Sequence, residues 1–307
     1  MLSDEEMVRI IMDGRLHDPG LPARMARSRK LLSQWPDRAL VLVAADHPGR
    51  RTVAAGSDSW AMANRADLLR RVARVLMQPC VDGILVTPDL MEELWYLQSW
   101  VLAEGGPDFL TGKILIGSMN RAGLSDTVFE FRDFVSAYDA NALAASGMDA
   151  GKLLLRVDPE NKLSSYVLEA VVQALRDLHA RSIPAFLEPI PVPLTTDELV
   201  RLMGVASALG PSSCRRWIKV PMTANFKRVS AATTCPLVLL GGSDLLGFEE
   251  LRRRIHDCLS AGPNIRGILM GRNALYPAER DPRDFVVDLA SWVTGEPRQD
   301  VVIWPLL

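Results

Sequence analysis

Cysteine and histidine are sparse in this 307-residue chain, four of each, and neither is clustered. Cys80, Cys214, Cys235 and Cys258 stand far apart with no C-x-x-C spacing. That argues against a disulfide framework and a zinc ribbon, and predicts buried thiols in a reducing compartment. His17, His47, His179 and His256 form no H-x-H or H-E-x-x-H pair, so no metal is assigned. There is no G-x-S-x-G elbow, Walker sequence or G-x-G-x-x-G fingerprint, and no cofactor is expected. No run of about 18 apolar residues occurs, which argues against a membrane-spanning helix. The acidic start, Met1-Leu2-Ser3-Asp4-Glu5-Glu6, lacks the basic and apolar regions of a secretion signal. With 35 basic against 37 acidic residues the net charge is −2, so no global field attracts nucleic acid. The arginine clusters Arg70-Arg71 and Arg252-Arg253-Arg254 fall in helical patterns and read as solvated helix faces. The expectation is a cytoplasmic protein without membrane or nucleic-acid partners.

What is present is an alternation of short apolar runs with longer amphipathic ones. The runs Ala39–Asp46, Gly83–Thr87, Lys113–Ser118, Lys152–Val157, Ala185–Glu188, Trp217–Pro221, Leu237–Gly242 and Gly267–Gly271 read as strands. Most are continuously apolar, as parallel strands covered on both faces should be. Helical periodicity marks Asp67–Met77, Pro88–Leu102, Leu163–Ala180, Thr195–Leu209, Phe248–Leu259 and Arg283–Val293. Thr195-Thr196-Asp197-Glu198 supplies an N-cap followed by acids that suit the helix dipole. Strand and helix recur at about 30-residue intervals, which predicts an α/β fold, a (β/α)8 TIM barrel. One domain is expected over 1–307, with residues 1–33 forming a helical cap at the barrel bottom and 39–295 the barrel.

The residue that stands out is Lys219, in Trp217-Ile218-Lys219-Val220-Pro221. A charged amine is costly to bury, so burial lowers its pKa and leaves a neutral nucleophile. Such an amine adds to a carbonyl to give an iminium ion, an electron sink that lets an adjacent carbon–carbon bond break without a metal. Two strand-plus-glycine segments follow, Leu239-Leu240-Gly241-Gly242-Ser243 and Leu269-Met270-Gly271-Arg272-Asn273. Glycines let backbone N–H groups approach an anion, and the loops after strands seven and eight are the usual phosphate site of this barrel. Arg272 adds a charge-assisted hydrogen bond.

Other polar residues fall at the same rim. Strand one ends in Asp46-His47, and strand five in Glu188, whose partial burial is expected to raise its pKa towards neutrality for proton transfer. Asp46 reads either as a second acid/base or as the anchor of a nearby lysine. Strand four carries Lys152 and Arg156 on one face, either of which would depress the Lys219 amine. By position alone Arg156 is the better rim residue, because Lys152 opens its strand. Asn120-Arg121 follows strand three.

The ordered set Asp46, Lys152, Glu188, Lys219, Gly241-Gly242 and Gly271-Arg272 resembles the class I, metal-independent barrel aldolases. These include tagatose-1,6-bisphosphate, archaeal-type fructose-bisphosphate and deoxyribose-phosphate aldolases. The resemblance implies Lys219 as the Schiff-base residue, Glu188 in proton transfer with Asp46, and Lys152 assisting the site or binding phosphate. It implies Gly241, Gly242, Gly271, Arg272 and Asn273 as the phosphate cradle; Arg156 and Arg121, at the same rim, are expected as further binding residues. It also implies a phosphorylated sugar substrate and a homo-oligomer. The chain departs from each subfamily around Lys219: the proline comes two residues later, no tyrosine follows soon after, and no K-T/S-S/T-T-G run is present. The Asn120-Arg121-Ala122-Gly123-Leu124 loop and the Asp46-His47-Pro48-Gly49-Arg50 rim suggest a branch linked to carbohydrate or inositol breakdown. Its substrate would be 2-deoxy-5-keto-gluconate 6-phosphate, or else a ketose bisphosphate. Two other readings stay open: a phosphate-binding isomerase or synthase without a Schiff base, and a non-catalytic sugar-phosphate-binding barrel.

Overall fold

A computed structural model describes residues 2–29, 31–32, 34–121, 123–127, 131, 134–242, 246–278 and 280–307. Its strands are β1 (Leu40–Ala44), β2 (Gly83–Val86), β3 (Ile114–Ser118), β4 (Ala150–Val157), β5 (Ala185–Pro191), β6 (Arg216–Pro221), β7 (Leu237–Leu240) and β8 (Ile265–Met270). They close in sequence order into a barrel, every pair parallel. That is the (β/α)8 architecture the alternating pattern predicts.

Two helices precede β1, α1 (Asp4–His17) and α2 (Leu21–Ser28). The strands are then separated by α3 (Arg65–Leu76), α4 (Pro88–Ala103), α5 (Ala140–Ala145), α6 (Ser164–Ala180), α7 (Thr196–Ala208), α8 (Phe226–Ala231) and α9 (Phe248–Leu259). A single turn, α10 (Arg272–Leu275), and α11 (Pro282–Thr294) follow β8. Thr195 caps α7 by accepting from the Glu198 backbone N–H at 3.2 Å, as Thr-Thr-Asp-Glu suggests. The short helices α5 and α8 have six residues each, too few to show an amphipathic period.

The apolar residues divide between two layers. Outward-facing strand residues such as Val41, Val43, Leu153 and Leu155 pack under the helices in one large cluster. Inward-facing ones, including Leu42, Ala44, Ile116, Ala150, Phe186 and Leu269, fill the lower barrel. Trp35 and Trp217 close it from below, with Trp35 stacked on Phe186 at 5.9 Å and Trp217 stacked on Phe186 at 5.6 Å between centroids.

The helical cap lies elsewhere than expected. Helices α1 and α2 pack against α4, and α1 also against α3, on the outer flank of the barrel. The chain just after them, at Leu32 and Trp35, meets the lower core instead. Arg29 fixes this segment: its buried guanidinium pairs with Asp149 at 2.6 Å and donates to the carbonyl oxygens of Gly147 and Lys113. Asp149 also accepts from the Leu115 backbone N–H at 2.7 Å, so one buried ion pair ties the N-terminal segment to the starts of β3 and β4. No helix of the described residues is long and apolar enough to cross a membrane.

Candidate active site

The barrel's own periodicity places a polar layer on top of the apolar plug. Side chains two residues apart on a strand share a face. Ile116, Ala150, Phe186 and Trp217 belong to or pack against the lower core. Ser118, Lys152, Glu188 and Lys219 therefore point inward one layer higher. Asp46 joins them from two residues beyond the end of β1.

This layer is buried and tightly paired. Lys152 is 2% exposed, Lys219 4%, Asp46 7% and Glu188 8%. Lys152 Nζ lies 3.1 Å from Asp46 Oδ2 and 2.6 Å from Glu188 Oε2. Lys219 Nζ donates to the same Glu188 oxygen at 3.2 Å. Ser118 Oγ donates to Asp46 Oδ2 at 3.4 Å. Asp46 is thus an anchor for a lysine, one of the two roles its position suggested. Lys152 stands inside the barrel rather than at its solvent-facing bottom: β4 is staggered upward, so that Lys152 pairs with Ser118, the last residue of β3. Glu188 likewise lies in mid-strand, because β5 continues to Pro191.

The titration of this layer follows from its charges. Burial opposes ionisation of both carboxyls, but the ammonium groups of Lys152 and Lys219 outweigh it. Asp46 is held well below the usual carboxylate range, and Glu188 at about 2. The expectation that Glu188 would rise towards neutrality is therefore wrong; it ignored the two cations. The lysines split. Burial disfavours both charges, but Lys152 sits between two carboxylates and its pKa is raised. Lys219 is lowered, by burial first and then by the charge of Lys152. Lys152 is the resident cation and Lys219 the amine that more readily sheds its proton.

Above this layer opens a cleft of about 650 Å³. Asp46, Lys152, Glu188, Lys219, Arg156, Gly241, Gly242, Gly271 and Arg272 all line it. Gly242 has φ +79°, a left-handed conformation that favours glycine, and Arg272 donates to its carbonyl oxygen at 3.1 Å. A Cβ on Gly241 would stand 2.6 Å from Asn273 Nδ2. Asn273 is buried and donates to the Gly241 carbonyl at 3.2 Å, so it braces the β7 loop and does not line the cleft. Ser243, the end of the first glycine segment, lies outside the described residues. The helix after β8 is a single turn, so no helix dipole of useful length faces an anion there.

Arg121 is not brought into the cleft; its guanidinium donates to the Ser136 carbonyl at 3.4 Å. Asn120 bonds the Leu154 backbone at both ends of its amide, at 2.9 and 2.6 Å, and extends the β3–β4 pairing. Ala122 of the same loop is outside the described residues.

Several lining residues were given no role from the sequence, although His47 and Arg50 were placed at the rim. His47, Arg50 and Thr52 come from the β1 loop, Ser125 from the β3 loop and Arg254 from α9. Adjacency to Asp46 was the available signal for His47. Arg254 was read as part of a solvated face, but it reaches the cleft while also bonding Glu250 at 2.6 Å. Among the described residues no group of three or more His, Cys, Asp or Glu side chains could hold a metal ion. Cys80, Cys235 and Cys258 are buried thiols, whereas Cys214 is exposed.

No curated protein matches the chain in sequence. A solved structure of Cgl0159 from Corynebacterium glutamicum is 32% identical and superposes with a TM-score of 0.86, over 95% of this chain and 98% of that one. A Schiff-base-forming fructose-1,6-bisphosphate aldolase shares the barrel at 20% identity and TM-score 0.58, over 83% of this chain and 94% of that one. An archaeal fructose 1,6-bisphosphate aldolase does so at 18% identity and TM-score 0.59, over 85% and 96%. At those identities the likeness to the aldolases is one of fold. The model of the Cgl0159-like family matches residues 38–291, and the chain belongs to that family.

Proposed function

We propose that the chain is a class I aldolase, which cleaves or forms a phosphorylated ketose through a Schiff base on Lys219. The observation that carries this reading is the unequal pair of buried lysines, Lys152 held charged and Lys219 pushed down. An amine that is to attack a carbonyl must be neutral, and a fixed cation beside it favours that state. The likeness of the barrel to Schiff-base-forming aldolases adds support.

The charges also suit the intermediate. With Lys219 neutral, as its attack on a carbonyl requires, Asp46 and Glu188 carry two negative charges against the one of Lys152. The layer keeps a negative charge in reserve, which an iminium at Lys219 would neutralise without any rearrangement. Lys219 Nζ adds to the substrate carbonyl. Glu188, 3.2 Å from Nζ, takes the proton released by the attacking nitrogen and returns it to the carbinolamine oxygen. A further proton, drawn from solvent through Glu188, lets the carbinolamine hydroxyl leave as water, and the iminium forms. Lys152 keeps Glu188 ionised and in place through the 2.6 Å contact.

Arg272 and the backbone at Gly241, Gly242 and Gly271 would hold the phosphate, with Arg156 a further cation on the cleft wall. Binding energy gathered at the phosphate then positions the carbonyl over Lys219. The substrate would be 2-deoxy-5-keto-gluconate 6-phosphate or a ketose bisphosphate. Incubation with a panel of ketose phosphates and borohydride, read by peptide mass spectrometry, tests the reading. A stable adduct should appear on Lys219 and be absent from Lys219→Ala. No adduct with any member of the panel, or turnover surviving in Lys219→Ala, would end it.

A further inference from the structure

His47 has no part in the chemistry described above, yet it lines the cleft that also holds Lys219 and Gly271. Its main chain is fixed, because its carbonyl accepts from the Arg50 and Thr52 backbone N–H groups at 3.0 and 3.2 Å. Its ring lies against Gly271: a Cβ there would be 2.1 Å from His47 Cε1 and 2.9 Å from Nε2. Only glycine leaves room for the imidazole in this place. The two nitrogens differ. Nδ1 is shut away from solvent with no hydrogen-bond partner among the described residues, and its nearest carboxylate oxygen, Asp46 Oδ1, is 4.0 Å away. The ring keeps 17% of its side-chain surface, on the cleft. Nε2 is the nitrogen left to meet a ligand.

Asp46 itself is held by Lys152 at 3.1 Å. The arrangement is a carboxylate behind one ring nitrogen and a cleft before the other, the order in which a base is oriented by a third group. A closing of about 1 Å would let Nδ1–H donate to Asp46 Oδ1. Among the described residues Glu188 is not placed for the bond-breaking step, since it stands beside the amine and is engaged by both lysines, and Asp46 is engaged by Lys152.

We propose that His47 is the group that moves the proton of the substrate hydroxyl at the bond being cleaved, with Asp46 orienting its ring. This rests on the Schiff-base reading above. In the cleavage direction Nε2 takes the proton of the hydroxyl on the carbon β to the iminium. The electron pair of the carbon–carbon bond moves into the iminium, giving an enamine, and the oxygen-bearing half leaves as an aldehyde. The imidazolium then returns its proton to the enamine carbon, and hydrolysis frees Lys219. Burial, aided by the charges of Arg272 and Lys219, lowers the ring's pKa to about 3 and keeps it neutral, against the pull of Asp46. A phosphate dianion at Arg272 would cancel one of those charges and raise the proton affinity of the ring when substrate is bound.

Two measurements on the full chain decide it. With only four histidines, the ring nitrogens can be followed by 15N NMR, with His47→Gln assigning the signal. Addition of the ketose phosphate that labels Lys219 of the wild type, with fructose 1,6-bisphosphate and 2-deoxy-5-keto-gluconate 6-phosphate both tried, should move the His47 Nε2 resonance. In the second, His47→Gln should still give the borohydride adduct on Lys219 with the ketose phosphate that labels the wild type. Its cleavage rate should fall about 100- to 10,000-fold, as loss of a proton-transfer group does. A merely structural role would lose adduct and turnover together. Unmoved ring signals, or turnover of His47→Gln close to wild type, would overturn the role of His47 alone. Absence of the adduct from the wild type would overturn the Schiff-base reading, whatever the ring does.

Discussion

Lys152 and Lys219 share one oxygen, Oε2 of Glu188, at 2.6 and 3.2 Å. Two ammonium groups on one carboxylate oxygen repel, and the pair relieves that repulsion by letting one of them lose its proton. Lys152 has a second carboxylate, Asp46, at 3.1 Å, whereas Lys219 has none so near, so it is Lys219 whose pKa is lowered. In the proposed reaction this asymmetric pairing is what makes Lys219 the nucleophile.

It follows that Lys152→Met should act on Lys219 from a distance. With the neighbouring cation gone, the Lys219 pKa should rise. The pH profile of adduct formation should then move to higher pH, with the adduct still on Lys219. The same change strands Asp46 without its cation, and a broken buried pair costs about 3–5 kcal/mol. Unfolding in urea beside the pH profile of trapping separates the two effects. An unshifted profile in a folded variant would refute the division of roles between the lysines.

The cradle is tested at Arg272. A charge-assisted hydrogen bond to a phosphate contributes about 1.5–3 kcal/mol, or roughly 10- to 150-fold in binding. Arg272→Gln should raise KM for a ketose phosphate by that order while Lys219 stays trappable at saturating substrate. Arg121→Gln, away from the cleft, should leave KM within about twofold.

Acid should loosen the protein through the same layer. Glu188 titrates at about 2 against an ordinary 4.5, so the stability it contributes is complete above about pH 4.5 and is lost as pH falls towards 2. His47 is displaced from 6.5 to about 3, and in that interval the unfolded chain binds a proton that the folded chain does not. Stability therefore falls with pH from about 6.5 downwards, first through His47 and then through the carboxylates. Urea midpoints measured from pH 3 to 8 should show this, and His47→Gln should flatten the upper part of the slope. Lys219 works at the other end. Its lowered pKa means that stability rises with pH as the folded chain sheds that proton before the unfolded one does.

Much of this was legible in the sequence, because a parallel barrel writes itself as short apolar runs at regular intervals. The same period-two alternation puts Lys152, Glu188 and Lys219 directly above Ala150, Phe186 and Trp217. What the sequence hid was stagger and company. Lys152 looked like a strand opener because nothing in one strand reveals how far its neighbour is displaced along the barrel axis. Glu188 looked like a partly buried acid awaiting a raised pKa because its cations come from other strands, 36 and 31 residues away in sequence. Arg121 and Asn273 sat at the right rim positions, but their side chains turn to backbone carbonyls. His47 was passed over because its meaning depends on the missing Cβ of Gly271, across the barrel seam.

That seam offers the most economical test of the site's packing. In Gly271→Ala the new methyl would fall 2.1 Å from His47 Cε1 and 2.9 Å from the Ala44 carbonyl oxygen. The carbonyl belongs to β1 and cannot swing away, so the ring must. Overpacking of this kind costs about 1–3 kcal/mol. The displaced imidazole leaves Asp46, while Lys152, Glu188 and Lys219 keep their mutual contacts. Gly271→Ala should therefore lower the urea midpoint modestly and still give the borohydride adduct on Lys219. Its carbon–carbon cleavage should be about as slow as that of His47→Gln. Combining the two substitutions should then cost less in rate than the product of the single effects, because the second removes a group the first has already displaced. Fully multiplicative effects would show that Gly271 acts through something other than the ring of His47.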